Sequence, residues 1–266
     1  MAAGFRILVA SDGSAPARAA LKAALAFPWP EPSSARGVVA LGSRSTRWPG
    51  SRAAAVRGLY AQTEPTKRLL ARRWPDAWVV ALHERPADAI FSEARRFGAQ
   101  AIAVGWRGHG AVRRLLGGSV SRELAARSRI PVLVARRAAP RIRRIVIGFD
   151  GSAGARRALR FAARLEPRRG SRAVLVNVVA PAALPATAAE RRSHAAAVLL
   201  ERAGWPATVQ VRAGAPLETL LDAAAEREGS VLVLGARATS GLKRVVLGSV
   251  AAGALDRSRV PVLIVP

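Results

Sequence analysis

Two Asp-Gly-Ser triplets hold the polar groups best placed to do chemistry. One begins at Asp12 and the other at Asp150, and each follows a short apolar run and precedes a helical pattern. A carboxylate in this position can accept a hydrogen bond from the amino group of a bound base. It can equally cap the first helix or hold a turn. The triplets alone leave both interpretations open.

A spaced set of glycines forms the second group. Gly105 is followed after two residues by Gly108, and after nine further residues by Gly118 and Ser119. Glycines allow a backbone to approach a ligand closely. The Gly-Ser pair opens a helical pattern, and the free N–H groups and positive dipole end of a helix N-terminus favour a phosphate. The spacing therefore predicts a phosphate site, although Ser119 can also be a simple N-cap.

Both groups recur because the chain is an internal repeat. The tail from Gly105 aligns without a gap with the tail from Gly235, and the triplets align at the other end of each copy. Chance similarity in an Ala- and Arg-rich sequence does not explain ordered matches at both ends. A chain of 266 residues can hold two domains of ordinary size. We expect domain 1 over residues 1–138 and domain 2 over residues 141–266.

In each copy short apolar runs, such as Val38–Leu41, alternate with longer helical patterns. This alternation predicts an α/β fold with a parallel sheet and helices on both faces. Pro65 lies inside one helical pattern and is expected to break or kink it. Ligands of such sheets bind beyond the carboxyl ends of the strands, where the strand order reverses. Asp12 and Gly105 lie just past strand ends, so they face one crevice if the first and fourth strands are neighbours.

The formal net charge of +26 reflects scarce acidic residues. It should attract anions such as nucleotides, nucleic acid or anionic membrane surfaces, or else it forms a solvated basic surface. The absence of Cys excludes disulfides, zinc fingers and thiol catalysis. The N-terminus lacks the pattern of a secretory signal, and the longest uncharged stretch is broken by Pro181 and Pro185. We therefore expect a cytoplasmic protein without a membrane span.

The sequence lacks the motifs of several other classes of nucleotide-binding protein and enzyme. The sequence has no Gly-x4-Gly-Lys-Ser/Thr loop and no Gly-x-Ser-x-Gly elbow. Gly108 and Gly110 begin like a dinucleotide fingerprint, but Arg113 stands in place of the third glycine. No carboxylate pair or metal-binding cluster is evident. No catalytic residue is predicted.

The combined motif, Asp-Gly-Ser after the first strand and Gly-2x-Gly-9x-Gly-Ser after the fourth, resembles the ATP-binding class of universal stress proteins. The resemblance covers almost the whole chain, twice. It implies two flavodoxin-like domains, each with a five-stranded parallel sheet in the order 3-2-1-4-5. It also implies that the domains pair through their last strands, Val132–Ala135 and Val262–Val265. Such pairing would shield two apolar edge strands.

The resemblance also implies ligand contacts. It implies an adenine contact at Asp12 in domain 1 and at Asp150 in domain 2. Val178 would add an apolar contact to the adenine in domain 2, whereas Gly42 stands in the equivalent place in domain 1. The remaining implied contacts, to phosphates, are at Gly105, Gly108, Gly118, Ser119 and Val120 in domain 1 and at Gly235, Gly248, Ser249 and Val250 in domain 2. Ala238 stands where the family has its second glycine, and its methyl group either is tolerated or crowds the phosphates.

The implied function is that of a stress-response regulator or sensor that binds ATP or AMP, with Mg²⁺ carried by the nucleotide. Its partners would be the adenine nucleotide and an unidentified protein, with a homodimer as a further assembly. One alternative is a slow ATPase on the same fold, although no general base over a γ-phosphate is evident. The other is a basic, nucleic-acid-associated scaffold with degenerate nucleotide sites, which the net charge motivates.

Overall fold

The computed structural model describes residues 4–40, 52–106, 119–139, 141–183, 187–238 and 245–266. Within these ranges the strands are β1 (Phe5–Ser11), β2 (Ser33–Ala40), β3 (Trp78–Leu82), β4 (Ala101–Gly105), β5 (Val132–Ala135), β6 (Arg144–Gly148), β7 (Arg172–Val179), β8 (Ala207–Ala213), β9 (Ser230–Gly235), β10 (Arg237–Ala238), β11 (Val245–Val246) and β12 (Val262–Val265). The helices are α1 (Ala15–Ala26), α2 (Arg52–Leu70), α3 (Pro86–Phe97), α4 (Ser119–Arg127), α5 (Ala153–Ala162), α6 (Thr187–Arg202), α7 (Pro216–Ala225) and α8 (Ser249–Arg257). A short 3-10 helix spans Pro181–Ala183.

Ten of the strands form one sheet in the order β3-β2-β1-β4-β5-β12-β9-β6-β7-β8. Each half is parallel and, counted within its own copy, has the predicted order 3-2-1-4-5. The halves meet where β5 and β12 pair antiparallel, with Leu133 opposite Leu263. The predicted pairing through the last strands is thus confirmed, and it merges two five-stranded sheets into one. The short strands β10 and β11 form a separate antiparallel pair.

Helix α2 continues through Pro65 to Leu70, so of the two expected outcomes, a break or a kink, the break is wrong. Proline removes one backbone hydrogen bond from a helix interior. The turn around it keeps other contacts: the Thr66 hydroxyl donates to the carbonyl of Gln62 at 2.8 Å. Leu70 at the end of the helix is fully buried in the core. Packing against the sheet therefore outweighs the local preference of one proline.

Apolar cores run through both halves on each face of the sheet. Helices α1, α2, α5 and α6 cover the first face, and α3, α4, α7 and α8 cover the second. On the first face, Phe5 of domain 1 packs against Phe161 of domain 2 with ring centroids 6.2 Å apart. The backbone N–H of Glu166 donates to the carbonyl of Pro28 at 3.0 Å, which also joins the halves.

The second face has its own contacts across the junction. The Arg136 guanidinium lies 4.2 Å from the centroid of the Trp106 ring and donates to the backbone carbonyl of Leu255 at 2.8 Å. Arg122 forms an ion pair with Asp256. The two halves are therefore joined by the sheet, by both cores and by charged groups of α4 and α8.

Candidate functional site

The candidate site lies at the carboxyl ends of β1 and β4, and at the equivalent edge formed by β6 and β9. The strands β1 and β4 are parallel neighbours, with Val9 opposite Ala103. The strands β6 and β9 are paired in the same way, with Ile147 opposite Val233. Chain order reverses between these neighbours, since β2 lies on the other side of β1 and β7 on the other side of β6. Such a reversal is where open α/β sheets form a ligand crevice.

The first triplet forms a tight turn at this edge. One carboxylate oxygen of Asp12, Oδ1, accepts a hydrogen bond from the backbone N–H of Ser14 at 3.0 Å. Ser14 is the N-cap of α1, and its hydroxyl accepts from the N–H of Ala17 at 3.1 Å. Gly13 between them has a φ of +74°, a conformation that favours glycine. Asp12 therefore holds the turn, which is one of the two roles that the sequence allowed. Its side chain is half-buried at the edge of the crevice.

The second triplet repeats this geometry almost atom for atom. Asp150 Oδ1 accepts from the N–H of Ser152 at 2.9 Å, and the Ser152 hydroxyl accepts from the N–H of Ala155 at 3.2 Å. Gly151 has a φ of +79°. The difference lies in exposure, because Asp150 is exposed and Asp12 is half-buried. The same local sequence thus gives the same turn but two different environments for the carboxylate.

An arginine closes each turn. Arg18 donates to the carbonyl of Gly13, and Arg156 donates to the carbonyl of Gly151. Sequence reasoning did not single out these residues. The signal was present, because both copies read Asp-Gly-Ser-Ala-x-Ala-Arg. The repeat therefore brings a guanidinium to the edge of each crevice.

The helices α2 and α6 place different side chains against the two turns. A Cβ atom on Gly13 would overlap the Gln62 side-chain oxygen Oε1. A Cβ atom on Gly151 would lie 2.9 Å from Cδ of Arg192. Sequence reasoning missed both residues, and no motif marks them, because they reach the turns through tertiary packing. Domain 1 therefore has a neutral amide beside its turn where domain 2 has a cation.

The glycines that end β4 and β9 are explained by close packing. A Cβ atom on Gly105 would lie 2.6 Å from the carbonyl carbon of Pro16 and 2.8 Å from the backbone nitrogen of Ala17. A Cβ atom on Gly235 would overlap the backbone of Gly154. Only glycine lets the first turn of α1 or α5 come this close to the strand. The same closeness brings the Asp-Gly-Ser turn and the strand end together, as predicted.

Helix α4 follows β4, and the hydrogen bond from Ser121 to the Trp106 carbonyl holds its start against the end of that strand; α8 follows β9 to β11 in the repeat. Ser119 and Ser249 are their exposed first residues, while Val120 and Val250 follow and pack against the second core. The N-cap of α8, Gly248, makes no side-chain capping bond. N–H groups in the first turn of an α-helix have no partner within the helix. Each helix therefore begins with N–H groups that have no partner inside the helix, and their role in holding a phosphate stays a prediction.

The remaining predicted residues divide between described and undescribed parts of the chain. Gly108 and Gly118 lie outside the described residues, as does Gly42. Ala238 lies in β10, paired with Val245 of β11, and β11 contacts α4 of domain 1. Val178 is half-buried near the end of β7 and packs against the second core.

The described part of the chain lacks two features of other protein classes. It contains no group of three His, Asp or Glu side chains placed to hold a metal ion. None of its helices combines the length and the apolar character needed to cross a membrane.

The fold and the paired crevices define a tandem flavodoxin-like α/β protein. The universal stress protein family matches residues 5–136 and again residues 141–266, and the chain belongs to this family. No curated protein sequence shows significant similarity to the chain.

Solved structures share the fold over nearly the full length. A universal stress protein from Archaeoglobus fulgidus is 18% identical, with a TM-score of 0.71 over 98% of this chain and 97% of that one. A functionally unknown protein from Pseudomonas aeruginosa is 17% identical, with a TM-score of 0.59 over 99% of this chain and 92% of that one. A putative universal stress protein from the same species is 16% identical, with a TM-score of 0.58 over 99% of this chain and 93% of that one. At these identities the likeness shows a common fold.

Proposed function

We propose that the chain binds an adenine nucleotide, ATP or AMP, in the crevice of domain 1 and acts as a stress-response regulator or sensor. The observation that carries the proposal is the convergence of three elements at the β1–β4 edge. These are the Asp12 turn, the end of β4 at Gly105, and the N-terminus of α4 at Ser119. Membership of the universal stress protein family supports the same assignment.

The groups present suit the two ends of an adenine nucleotide. A half-buried carboxylate at Asp12 can accept a hydrogen bond from the exocyclic amino group of adenine. The first N–H groups of α4 and the hydroxyl of Ser119 suit the phosphates, because a helix N-terminus carries partial positive charge. Mg²⁺ would arrive with the phosphates, since this ion is commonly held by few carboxylates and by phosphate oxygens.

We expect domain 2 to bind the nucleotide more weakly. Asp150 is exposed, so water competes for its carboxylate more effectively than at Asp12. Ala238 adds a methyl group where domain 1 has Gly108. Arg192 lies against the domain 2 turn. Its guanidinium attracts phosphate, but it has no acceptor for a hydrogen bond from the amino group of adenine.

Calorimetric titration with Mg-ATP tests the proposal. The variants are Asp12→Asn, Asp12→Ala and Asp150→Asn. An asparagine keeps a side-chain oxygen that accepts from the N–H of Ser14, so the turn survives. Its NH₂ group is a hydrogen-bond donor and cannot accept from the amino group of adenine. We expect Asp12→Asn to weaken binding about tenfold with an unchanged melting temperature. Asp150→Asn should change the affinity of the tighter site less than twofold, within about 0.4 kcal/mol.

Either of two results would reject the proposal. One is the absence of heat from wild-type protein with both Mg-ATP and AMP. The other is full binding by Asp12→Ala, since this variant removes the carboxylate altogether. A loss confined to Asp150→Asn would move the site to domain 2.

A further inference from the structure

The charge of the helices is divided between the two faces of the sheet. On the first face, α1, α2, α5 and α6 together contain twelve Arg or Lys residues and three Glu residues. On the second face, α3, α4, α7 and α8 contain five Arg residues and six acidic residues. The net positive charge of the helices therefore lies on one face of the sheet.

The middle of the first face has no acidic residue in its helices. Helix α1 packs on β5 and α5 packs on β12, so the two helices flank the junction between the halves. Neither contains Asp or Glu. Exposed cations on these helices and just after α5 define what we call the central basic face: Arg18, Lys22, Arg156, Arg160 and Arg164.

These cations differ in their partners from three of the five arginines in the second-face helices. Within the described residues, no member of the central basic face forms an ion pair with a carboxylate. On the second face, Arg122, Arg127 and Arg257 are paired with Asp256, Glu123 and Glu218. Arg18 and Arg156 each donate to a backbone carbonyl, but no carboxylate neutralises any of the five charges, so an external anion can do so. The central basic face is therefore a cluster of positive charges that no carboxylate of the described residues neutralises.

Two further cations, one from each half, lie near the carboxyl-terminal ends of α1 and α5. Arg73 follows α2, and Arg168 follows α5. Burial is the largest cause that lowers the pKa of Arg73; its hydrogen bond to Glu31 raises that pKa, and the nearby charge of Arg168 lowers it again. Two like charges from different halves are thus held close to one another. Arg73 is ion-paired with Glu31 at 2.7 Å, whereas Arg168 forms no ion pair among the described residues.

We propose that the central basic face binds the phosphate backbone of double-stranded nucleic acid without sequence specificity; Arg18 and Arg156 form the end of this face that adjoins the crevices, where each closes an Asp-Gly-Ser turn. Arg18 and Lys22 are four residues apart on α1, as are Arg156 and Arg160 on α5. Each helix thus presents two cations about one turn, or ~6 Å, apart along its axis. Such a row fits a duplex, where both strands present closely spaced phosphates. Backbone contacts of this kind position a protein without reading bases.

Two other polyanionic partners fit the face less well. Single-stranded nucleic acid is held by aromatic side chains that stack on bases. Membrane-surface helices insert large apolar side chains. The exposed large apolar residues in the described part of the chain are Tyr60, Trp78, Val198 and Leu199, and none lies on α1 or α5. The face offers charge alone, which is what a duplex backbone requires.

The test is fluorescence anisotropy with a labelled mixed-sequence DNA duplex and the full-length chain, titrated at several salt concentrations. One variant neutralises the central basic face with Lys22→Gln, Arg160→Gln and Arg164→Gln. The matched control carries Arg95→Gln, Arg96→Gln and Arg129→Gln, three exposed cations of the second-face side that form no ion pair among the described residues. Both variants have the same net charge. Melting temperatures check that both remain folded.

We expect the face variant to bind at least about tenfold more weakly and to reduce the slope of log K against log salt by about 3, since each phosphate contact contributes about 0.9. The control should bind within twofold of wild type, or about 0.4 kcal/mol. Equal weakening in both variants would assign binding to overall charge and overturn the proposal. So would an absence of binding at low salt, tighter binding of a single strand of equal length, or binding of phosphatidylserine vesicles without binding of the duplex.

Discussion

The hydroxyl of Ser121 donates a hydrogen bond of 2.9 Å to the backbone carbonyl of Trp106. Ser121 lies in the first turn of α4, and Trp106 follows the last residue of β4. Both residues are buried. The bond therefore fixes the N-terminus of α4 relative to the end of the strand, which are the two elements that we assign to the phosphates. Domain 2 has Ala251 in the place of Ser121 and lacks this bond.

Replacement of Ser121 by alanine should weaken nucleotide binding by about three- to tenfold, because the helix N-terminus loses its anchor to β4. Its stability loss should be about 1 kcal/mol, the usual effect of a lost hydrogen bond. The control is Ser128→Ala, at the other end of α4, where the hydroxyl donates to the carbonyl of Ile130 at 2.6 Å. We expect a similar stability loss from the control with unchanged affinity. Equal affinity losses in both variants would contradict a positioning role for Ser121.

Gly105→Ala should destabilise the protein by about 2–4 kcal/mol, because its Cβ would lie 2.6 Å from the Pro16 carbonyl carbon and the backbone must move. Gly170→Ala is a control without overlap, since its Cβ would be in ordinary contact, 3.7 Å from the nearest atom. That variant is strained only by its φ of +79°, which should cost about 1–2 kcal/mol. Chemical denaturation measures both. Equal losses would show that α1 and β4 tolerate a side chain between them.

Much of the fold could be predicted because its signals are local. Helices begin at Ala15, Pro86 and Ser119, each marked by an N-terminal serine, proline or Gly-Ser pair. The strand β2 shows the limit of such signals. Its apolar run predicted residues from Val38, but pairing with β1 extends it back to Ser33. Arg36 in that first part pairs with Glu93 at 2.6 Å, a tertiary partner that no local pattern reveals.

Only those parts of the candidate site that occur in both copies could be predicted from the sequence. The Asp12 and Asp150 turns and the glycines that end β4 and β9 follow from motifs that occur twice. Gln62 and Arg192 could not be predicted, because they reach the turns from helices whose sequences differ between the copies. Sequence reasoning also assigned Gly105 and Gly235 to phosphates. Their packing against α1 and α5 gives each a sufficient structural reason to be glycine.

Glu226→Gln should make stability less sensitive to acid. The hydrogen bond from Arg212 is the largest cause that lowers the pKa of Glu226, and the charge of the buried Arg144 lowers it too. A carboxyl whose folded pKa is depressed contributes stability above its unfolded value, about 4.3, and that contribution is lost as the pH falls through the folded value. The variant should therefore melt lower than wild type at pH 7, and the difference should shrink below about pH 4.

Glu228→Gln provides the control for this prediction. Glu228 is exposed and forms no ion pair among the described residues. Thermal melts from neutral to acidic pH should show the same curve for this variant and wild type. A constant difference between Glu226→Gln and wild type at every pH would mean that the carboxylate contributes no charge-dependent stability.

The two halves should unfold together, because β5 and β12 share a ladder and both cores cross the junction. Leu133 and Leu263 face each other in that ladder, and both are fully buried. Leu133→Ala and Leu263→Ala should each remove about 2–5 kcal/mol of stability. We expect one calorimetric transition in each variant, and hydrogen exchange should accelerate in β1 and β6 alike. Faster exchange confined to the half that carries the substitution would show that the halves are independently stable, despite the sheet that joins them.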